Sequence, residues 1–199
     1  MKFIRFSALA PAVIAVAAII SIATEAMAQA PAQVKFTTTA GDFVVEVYPD
    51  KAPKTVENFL QYVRDKHYNG TIFHRVIPNF MIQGGGFDAQ YAEKSTRASV
   101  VHEGREALAK GGMKNVTGTL AMARTNDPQS ATAQFFINVK DNAFLDPSPQ
   151  QYGYTVFGKV TSGMEVIQKI KTVPTGPAGP FGSDAPKTPI IINSATLVK

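Results

Sequence analysis

The sequence predicts a mainly β domain: a closed β-barrel with helices covering its ends. Two observations predict it. Short β-branched runs recur along the chain, separated by Gly, Pro and Asn turn signals. Only two stretches carry helical periodicity. The chain has no cysteine, so neither disulfides nor thiolate metal sites stabilise it and a hydrophobic core must do so alone. No internal repeat and no second domain is visible.

The N-terminal stretch stands apart from the fold. Lys2 and Arg5 form a short positive region, residues 8–23 are nearly all apolar, and Ala26-Met27-Ala28 has the small-x-small form of a signal-peptidase site. This predicts a cleaved signal peptide over residues 1–28 and a single domain over residues 29–199. The alternative is a retained membrane anchor, since the apolar run approaches the ~18 residues that a spanning helix needs. A lipid anchor through a thioether is excluded by the absence of cysteine. Losing Lys2, Arg5 and Glu25 lowers the formal net charge of +5 by one. The remaining basic residues are scattered, which argues against a nucleic-acid partner.

Residues 34–38 and 42–48 read as a hairpin joined by Ala40-Gly41. In "PDKAPKTVENFLQYVRDKHYNG", Val56, Phe59, Leu60 and Val63 form one apolar helical stripe. Pro53 suits the first turn of that helix and Asn69-Gly70 stops the segment. Residues 71–74 and 80–83 read as strands interrupted by Pro78-Asn79. Residues 86–117 read as long polar loops with one helical turn near Glu106. Residues 119–123, 134–139 and 154–160 read as strands, and residues 164–170 as a short helix with Met164, Ile167 and Ile170 on one side. The Pro/Gly-rich segment 172–189 reads as a loop, because residues 190–198 return to a strand pattern.

The chemistry is first bounded by what is missing. His67, His74 and His102 have no metal-ligand spacing, and no nucleophile elbow or lysine-bearing phosphate loop is present. Gly84-Gly85-Gly86 reads as a tight turn with close packing after a strand. No metal and no cofactor is expected. What remains is "FHRVIPNFMIQGGGF", residues 73–87, in which Arg75 sits beside an apolar run. Either the arginine is thrown outward as a surface residue, or it points into an apolar site because chemistry needs it there. Phe80, Met81 and Phe136 by themselves equally fit plain core.

That stretch, then "GTLAMARTNDPQSATAQFFINVKDNAFLD" and "GYTVFGKV", resembles the signature blocks of the cyclophilin family of peptidyl-prolyl cis/trans isomerases. The similarity runs from about Val34 to the C-terminus, and the bacterial exported cyclophilins are the most similar subgroup. The resemblance implies a closed eight-stranded antiparallel β-barrel capped by two α-helices, with a shallow substrate groove on its outer face. It implies Arg75 as the catalytic donor, in dry surroundings. It implies Phe80, Met81, Phe136 and Leu145 as the proline pocket, Gln83 and Gln134 as polar contacts to the substrate, and Ala123, Arg124, Phe144 and Tyr154 as the groove's lining. At Arg124 the backbone, more than the side chain, is expected to bind peptide. His74 is expected to be structural, and Tyr68, Tyr91 and Tyr152 are surface or packing residues.

Three departures from the family pattern carry expectations. Asn79 stands where many members have glycine, and its tolerance of positive φ suits a tight turn. Tyr154 replaces a common histidine. Phe144 stands where eukaryotic members usually have tryptophan, so the indole N–H that helps hold cyclosporin is absent and weak cyclosporin binding is expected. The expected partners are unfolded or Pro-containing polypeptides in the periplasm. No nucleic acid is expected, no membrane after signal cleavage, and a monomer is the default in the absence of heptads. A holdase chaperone that grips proline without turnover is the competing reading, and a small-ligand barrel of the lipocalin kind is the third. Arg75 separates the first two, because a holdase has no need of a charge in its groove.

Overall fold

The computed structural model describes residues 30–198; the expected signal segment lies outside them. Strands β1 (Ala32–Thr38) and β2 (Gly41–Val47) form the first hairpin. A Cβ at Gly41, where φ is +134°, would lie 2.8 Å from Val166 Cγ2, so the turn needs glycine for its backbone and for its neighbour. Helix α1 (Pro53–Arg64) follows, with Pro53 in its first turn. Its N-terminal amides of Lys54 and Thr55 donate to the buried Glu103 carboxylate at 3.2 and 2.7 Å, a favourable place for a negative charge.

Strands β3 (Thr71–Ile77) and β4 (Met81–Asp88) flank the Pro78-Asn79 turn, and a short helix α2 (Gly104–Ala109) lies where one helical turn was expected. Strands β5 (Thr119–Met122) and β6 (Phe135–Asn138), a 3₁₀ turn over Ala143–Leu145, strand β7 (Val156–Ser162), helix α3 (Met164–Ile170), the pair β8 (Thr175–Ala178) and β9 (Phe181–Pro186), and strand β10 (Ile191–Leu197) complete the chain. Eight strands close into a barrel in the order β1-β10-β3-β4-β6-β5-β7-β2, all paired antiparallel. Closure leaves the barrel without free edges.

The barrel's interior is aromatic. Phe36, Phe43, Phe59, Tyr68, Phe73, Phe135 and Phe157 are buried there, joined by the apolar stripes of α1 and of α3. Phe36 and Phe43 stack at 4.9 Å, and Phe135 meets Phe59, Tyr68 and Phe73 edge-on, the geometry that ring quadrupoles prefer. Tyr68 is part of this core, and its hydroxyl donates to Ala133 O at 2.9 Å. Among the described residues no helix is long and apolar enough to cross a membrane.

Three expectations need correction. The triple glycine is not a tight turn but lies within β4, which runs on to Asp88. Its absent side chains admit neighbours instead: a Cβ at Gly84, Gly85 or Gly86 would come within 2.9 Å of Phe73, 2.9 Å of Tyr68 or 2.5 Å of Gln134. Asn79 does not use positive φ; among the described residues that conformation occurs outside glycine only at Lys66, Tyr91 and Asp184. The segment 172–189 is not a loop. It holds the antiparallel hairpin β8–β9, turned at Gly179-Pro180 with Gly179 at φ +53°, as two-residue hairpin loops require. Its prolines hid it, because they are tolerated on a two-stranded sheet made only of edges.

Candidate functional site

The site lies on the outer face of β3, β4, β6 and β5. Antiparallel partners share a face, so Met81, Gln83, Phe136 and Ala121 point outward while Ile82, Phe135, Leu120 and Met122 point into the core. Arg75 joins the outer set through an irregularity. Phe73 pairs with Gly84 and Arg75 with Gln83, so His74 is an extra residue on β3. Without that bulge Phe73 and Arg75 would share a face. With it, Phe73 fills the core and Arg75 stands outside beside Gln83.

Met81, Ala121, Ala123, Phe136, Leu145 and Val156 form a small buried cluster on this outer face, with Phe80 and Tyr154 packed partly against it. Members of this cluster floor a cavity of about 100 Å³ lined by Arg75, Phe80, Met81, Gln83, Ala123, Arg124, Phe136, Leu145 and Tyr154. Its apolar floor suits a small ring. Nine of the eleven residues singled out from sequence thus meet around one space. Gln134 lies in the adjoining groove, which shares Gln83, Ala123 and Arg124. Gln83 Nε2 donates to Gln134 Oε1 at 3.0 Å, a bond that uses neither Gln83's carbonyl nor Gln134's amide N–H groups. Phe144 does not wall the cavity. The residue is 65% exposed, and its ring stacks on Phe80 at 5.6 Å and 26°, forming a rim.

The two arginines differ in their commitments. Arg124 donates through Nη2 and Nε to Gly153 O at 2.8 and 3.1 Å and through Nη1 to Thr125 O at 2.8 Å. Its guanidinium also lies 4.6 Å over the Tyr154 ring, and Tyr154 meets Phe136 edge-on at 5.4 Å. The Arg124 side chain is thereby held as part of the wall. Arg75 is 43% exposed, and its Nε lies 4.0 Å from Asp184 Oδ2. The expectation of a dry setting for Arg75 is corrected: the guanidinium stands half in solvent at the edge of an apolar floor, and only a bound peptide could exclude the water.

His74 turns away from the cavity. It is 2% exposed and stacks on Phe181 at 5.0 Å. Burial, helped by the neighbouring charge of Arg75, lowers its pKa to about 4, so it is neutral at pH 7. Its Nδ1 is the one buried side-chain polar atom without a hydrogen-bond partner among the described residues. Among those residues no three His, Asp or Glu side chains gather as a metal site.

Sequence reasoning missed two supports of this site. Asn142 Nδ2 donates to Phe80 O at 2.8 Å and to Asn138 Oδ1 at 2.7 Å, while Asn138 donates to Thr119 Oγ1 at 3.0 Å. This buried amide chain fixes the turn that presents Phe80. Met113 packs partly against the outer cluster. A lone methionine in a polar stretch was the only signal for it, and "DNAF" offered none for Asn142 beyond turn chemistry.

Known proteins are similar to this chain over almost all of its described residues. The family described as "Cyclophilin type peptidyl-prolyl cis-trans isomerase/CLD" matches residues 33–197. A peptidyl-prolyl cis-trans isomerase of Streptomyces antibioticus is 54% identical over 168 residues, covering 83% of this chain and 98% of that protein. Peptidyl-prolyl cis-trans isomerase B of Escherichia coli is 53% identical over 167 residues, covering 82% of this chain and 98% of that protein. A solved cyclophilin-type isomerase of Cryptosporidium parvum, crystallised in the presence of the dipeptide Ala-Pro, superposes with a TM-score of 0.64 at 25% identity, over 84% of this chain and 99% of that one. With its closed antiparallel barrel and an arginine at the edge of an outward-facing apolar cavity, this chain belongs to the cyclophilin-type peptidyl-prolyl cis/trans isomerases.

Proposed function

We propose that this isomerase acts on X-Pro bonds of exported proteins in the periplasm, and that Arg75 is its catalytic donor. The observation that carries the mechanism is the placement of the Arg75 guanidinium at the lip of the apolar cavity floored by Met81, Phe136 and Leu145.

The reaction breaks no bond between heavy atoms. An X-Pro amide resists rotation by about 18–20 kcal/mol because it is conjugated, and uncatalysed isomerisation takes roughly tens to hundreds of seconds. Twisting the amide returns a lone pair to the prolyl nitrogen. A donor aimed at that nitrogen stabilises the twisted state over either planar isomer, which is what acceleration requires. A guanidinium is charged throughout the physiological range and offers several N–H groups. The small apolar floor holds the proline ring while the carbonyl side turns. Gln83 and Gln134 grip the peptide backbone beside it. When the peptide covers Arg75, the loss of water strengthens the charge's effect.

Export rests on residues 1–28, whose charged, apolar and Ala-x-Ala parts follow in signal-peptide order. The enzyme works as a monomer on unfolded, Pro-containing chains, and without an indole at position 144 it binds cyclosporin weakly. Two measurements test this. Cell fractionation with intact-mass analysis should find a chain beginning at Gln29 in the periplasm; a full-length cytoplasmic product refutes export. A protease-coupled isomerisation assay should find the Arg75→Ala variant slowed by about 10²–10³-fold; equal rates for variant and wild type refute the mechanism. A variant that binds Pro-peptides as before without turning them over separates the isomerase from a holdase.

A further inference from the structure

The hairpin β8–β9 lies against β3, the strand that carries Arg75, and engages it at two consecutive residues. At His74 the contact is aromatic. Phe181 stacks on the imidazole at 5.0 Å and 23°, and Phe87 meets both rings edge-on, 4.8 Å from His74 and 5.0 Å from Phe181. Tyr91 closes on Phe181 at 6.2 Å. At Arg75 the contact is electrostatic, with Asp184 Oδ2 on β9 standing 4.0 Å from Nε. Asp184 adopts φ +62°. Left-handed backbone at a residue with a Cβ is unfavourable, and where it persists the surroundings impose it, most often near functional sites. Of the three such residues among those described, Asp184 lies in the hairpin and Tyr91 in its seat.

We infer that Asp184 is a positioning residue for Arg75, and that the hairpin is the arm that presents it. The inference rests on Arg75 being the catalytic donor. Arg75 needs such a partner because its half-exposed side chain has several rotatable bonds that packing alone leaves free. At 4.0 Å the contact is longer than a hydrogen bond. The carboxylate therefore acts by charge, drawing the guanidinium to one place without consuming an N–H that the prolyl nitrogen needs. The same carboxylate also offsets part of the positive charge felt by the twisted amide. Positioning and offset predict opposite signs when the charge is removed, so the sign of the effect separates them.

The test measures kcat and KM on an X-Pro peptide for the wild type, Asp184→Asn, Asp184→Gly and Arg75→Ala, at rising salt. Asp184→Asn keeps the shape and the tolerance of positive φ while removing the charge; Asp184→Gly relieves the backbone and removes the side chain. Each should lower kcat about fivefold, the rate equivalent of a half-exposed ion pair at the upper end of its usual range, with KM little changed. Wild-type kcat should fall as salt approaches ~1 M, where the screening length shrinks to about 3 Å, and Asp184→Asn should be insensitive. In an Arg75→Ala background, Asp184→Asn should have no further effect. Wild-type or raised kcat in Asp184→Asn or Asp184→Gly overturns the inference, as does an equal loss on both backgrounds. An Arg75→Ala single variant that turns over at the wild-type rate removes the mechanism beneath it, and is told apart because it fails with position 184 untouched.

Discussion

Phe135 and Phe136 are neighbours on β6, nearly equal in burial at 0% and 4% exposure, and opposite in role. Phe135 points inward and meets Phe36, Phe59, Tyr68 and Phe73, a shell of rings closed around it. Phe136 points outward as one of a cluster of six buried residues, beside Tyr154 and in a cavity that Arg75 and Gln83 also line. Burial therefore does not distinguish core from site in this molecule. The distinction is whether the surrounding shell is complete. Inside the barrel it is, and a substitution there acts on stability. Outside it is open on one side, and in the proposed function the substrate's proline completes it.

The sharpest way to break the comparison is to exchange its consequences. Arg75→Ala should lower kcat/KM by about 10²–10³-fold, the cost of losing one preorganised donor in an active site. Its urea midpoint should stay with the wild type, since Arg75 is half-exposed and belongs to neither apolar cluster. Phe135→Ala should do the reverse. Removing the ring leaves a cavity in a closed shell and should cost about 3–5 kcal/mol of unfolding free energy, while the fraction that remains folded turns over near normally. A large midpoint shift in Arg75→Ala, or a folded but inactive Phe135→Ala, would erase the separation between the faces.

How much of this was legible in the sequence follows from the same pair of residues. Strand alternation and the helical stripe of Val56, Phe59, Leu60 and Val63 follow from periods that burial on one side imposes, and these elements stand where the periods put them. Period alone could not say that Phe136 is not core, because an open shell and a closed one leave the same mark on a strand. Nor could it place Arg75, whose outward direction depends on one extra residue in β3, a feature of pairing between strands and not of either strand. The hairpin β8–β9 was illegible for a different reason. Its Gly and Pro content reads as loop locally, and only the seat offered by His74, Phe87 and Tyr91 makes a two-stranded ribbon stable there.

That seat supplies a smaller test of burial against pH. His74 is held near pKa 4 by burial first and by Arg75's charge second, below the usual histidine value near 6.5. The folded value is the depressed one, so its contribution is fully present above the unfolded pKa. It is lost as pH falls from about 6.5 towards 4, where the unfolded chain takes up the proton and the folded one does not. The loss should be on the order of 2–3 kcal/mol. His67 and His102 are also lowered by burial, so the wild-type slope has several sources. The difference between wild type and His74→Phe, in urea unfolding at pH 7 and pH 4.5, isolates His74. The variant's stability should fall less on acidification; parallel slopes would mean that the imidazole is not kept neutral by its aromatic seat.

The smallest expected effect lies at the rim. Phe144 is exposed and stacked on Phe80, the residue whose backbone is pinned by Asn142. A tryptophan there can keep the stack, since the larger ring meets solvent and not a closed shell, and it adds one N–H at the edge of the groove. A single added hydrogen bond to a ligand is worth about 1 kcal/mol net, so Phe144→Trp should tighten cyclosporin by roughly five- to tenfold. Turnover of a short X-Pro peptide should hardly change, because Phe144 does not line the cavity proposed to hold the proline beside Arg75. If the variant tightens cyclosporin and leaves turnover alone, rim and floor are separable even within the outer face. If both change together, Phe144 reaches the reacting proline through Phe80, and the open side of the shell is narrower than its exposure suggests.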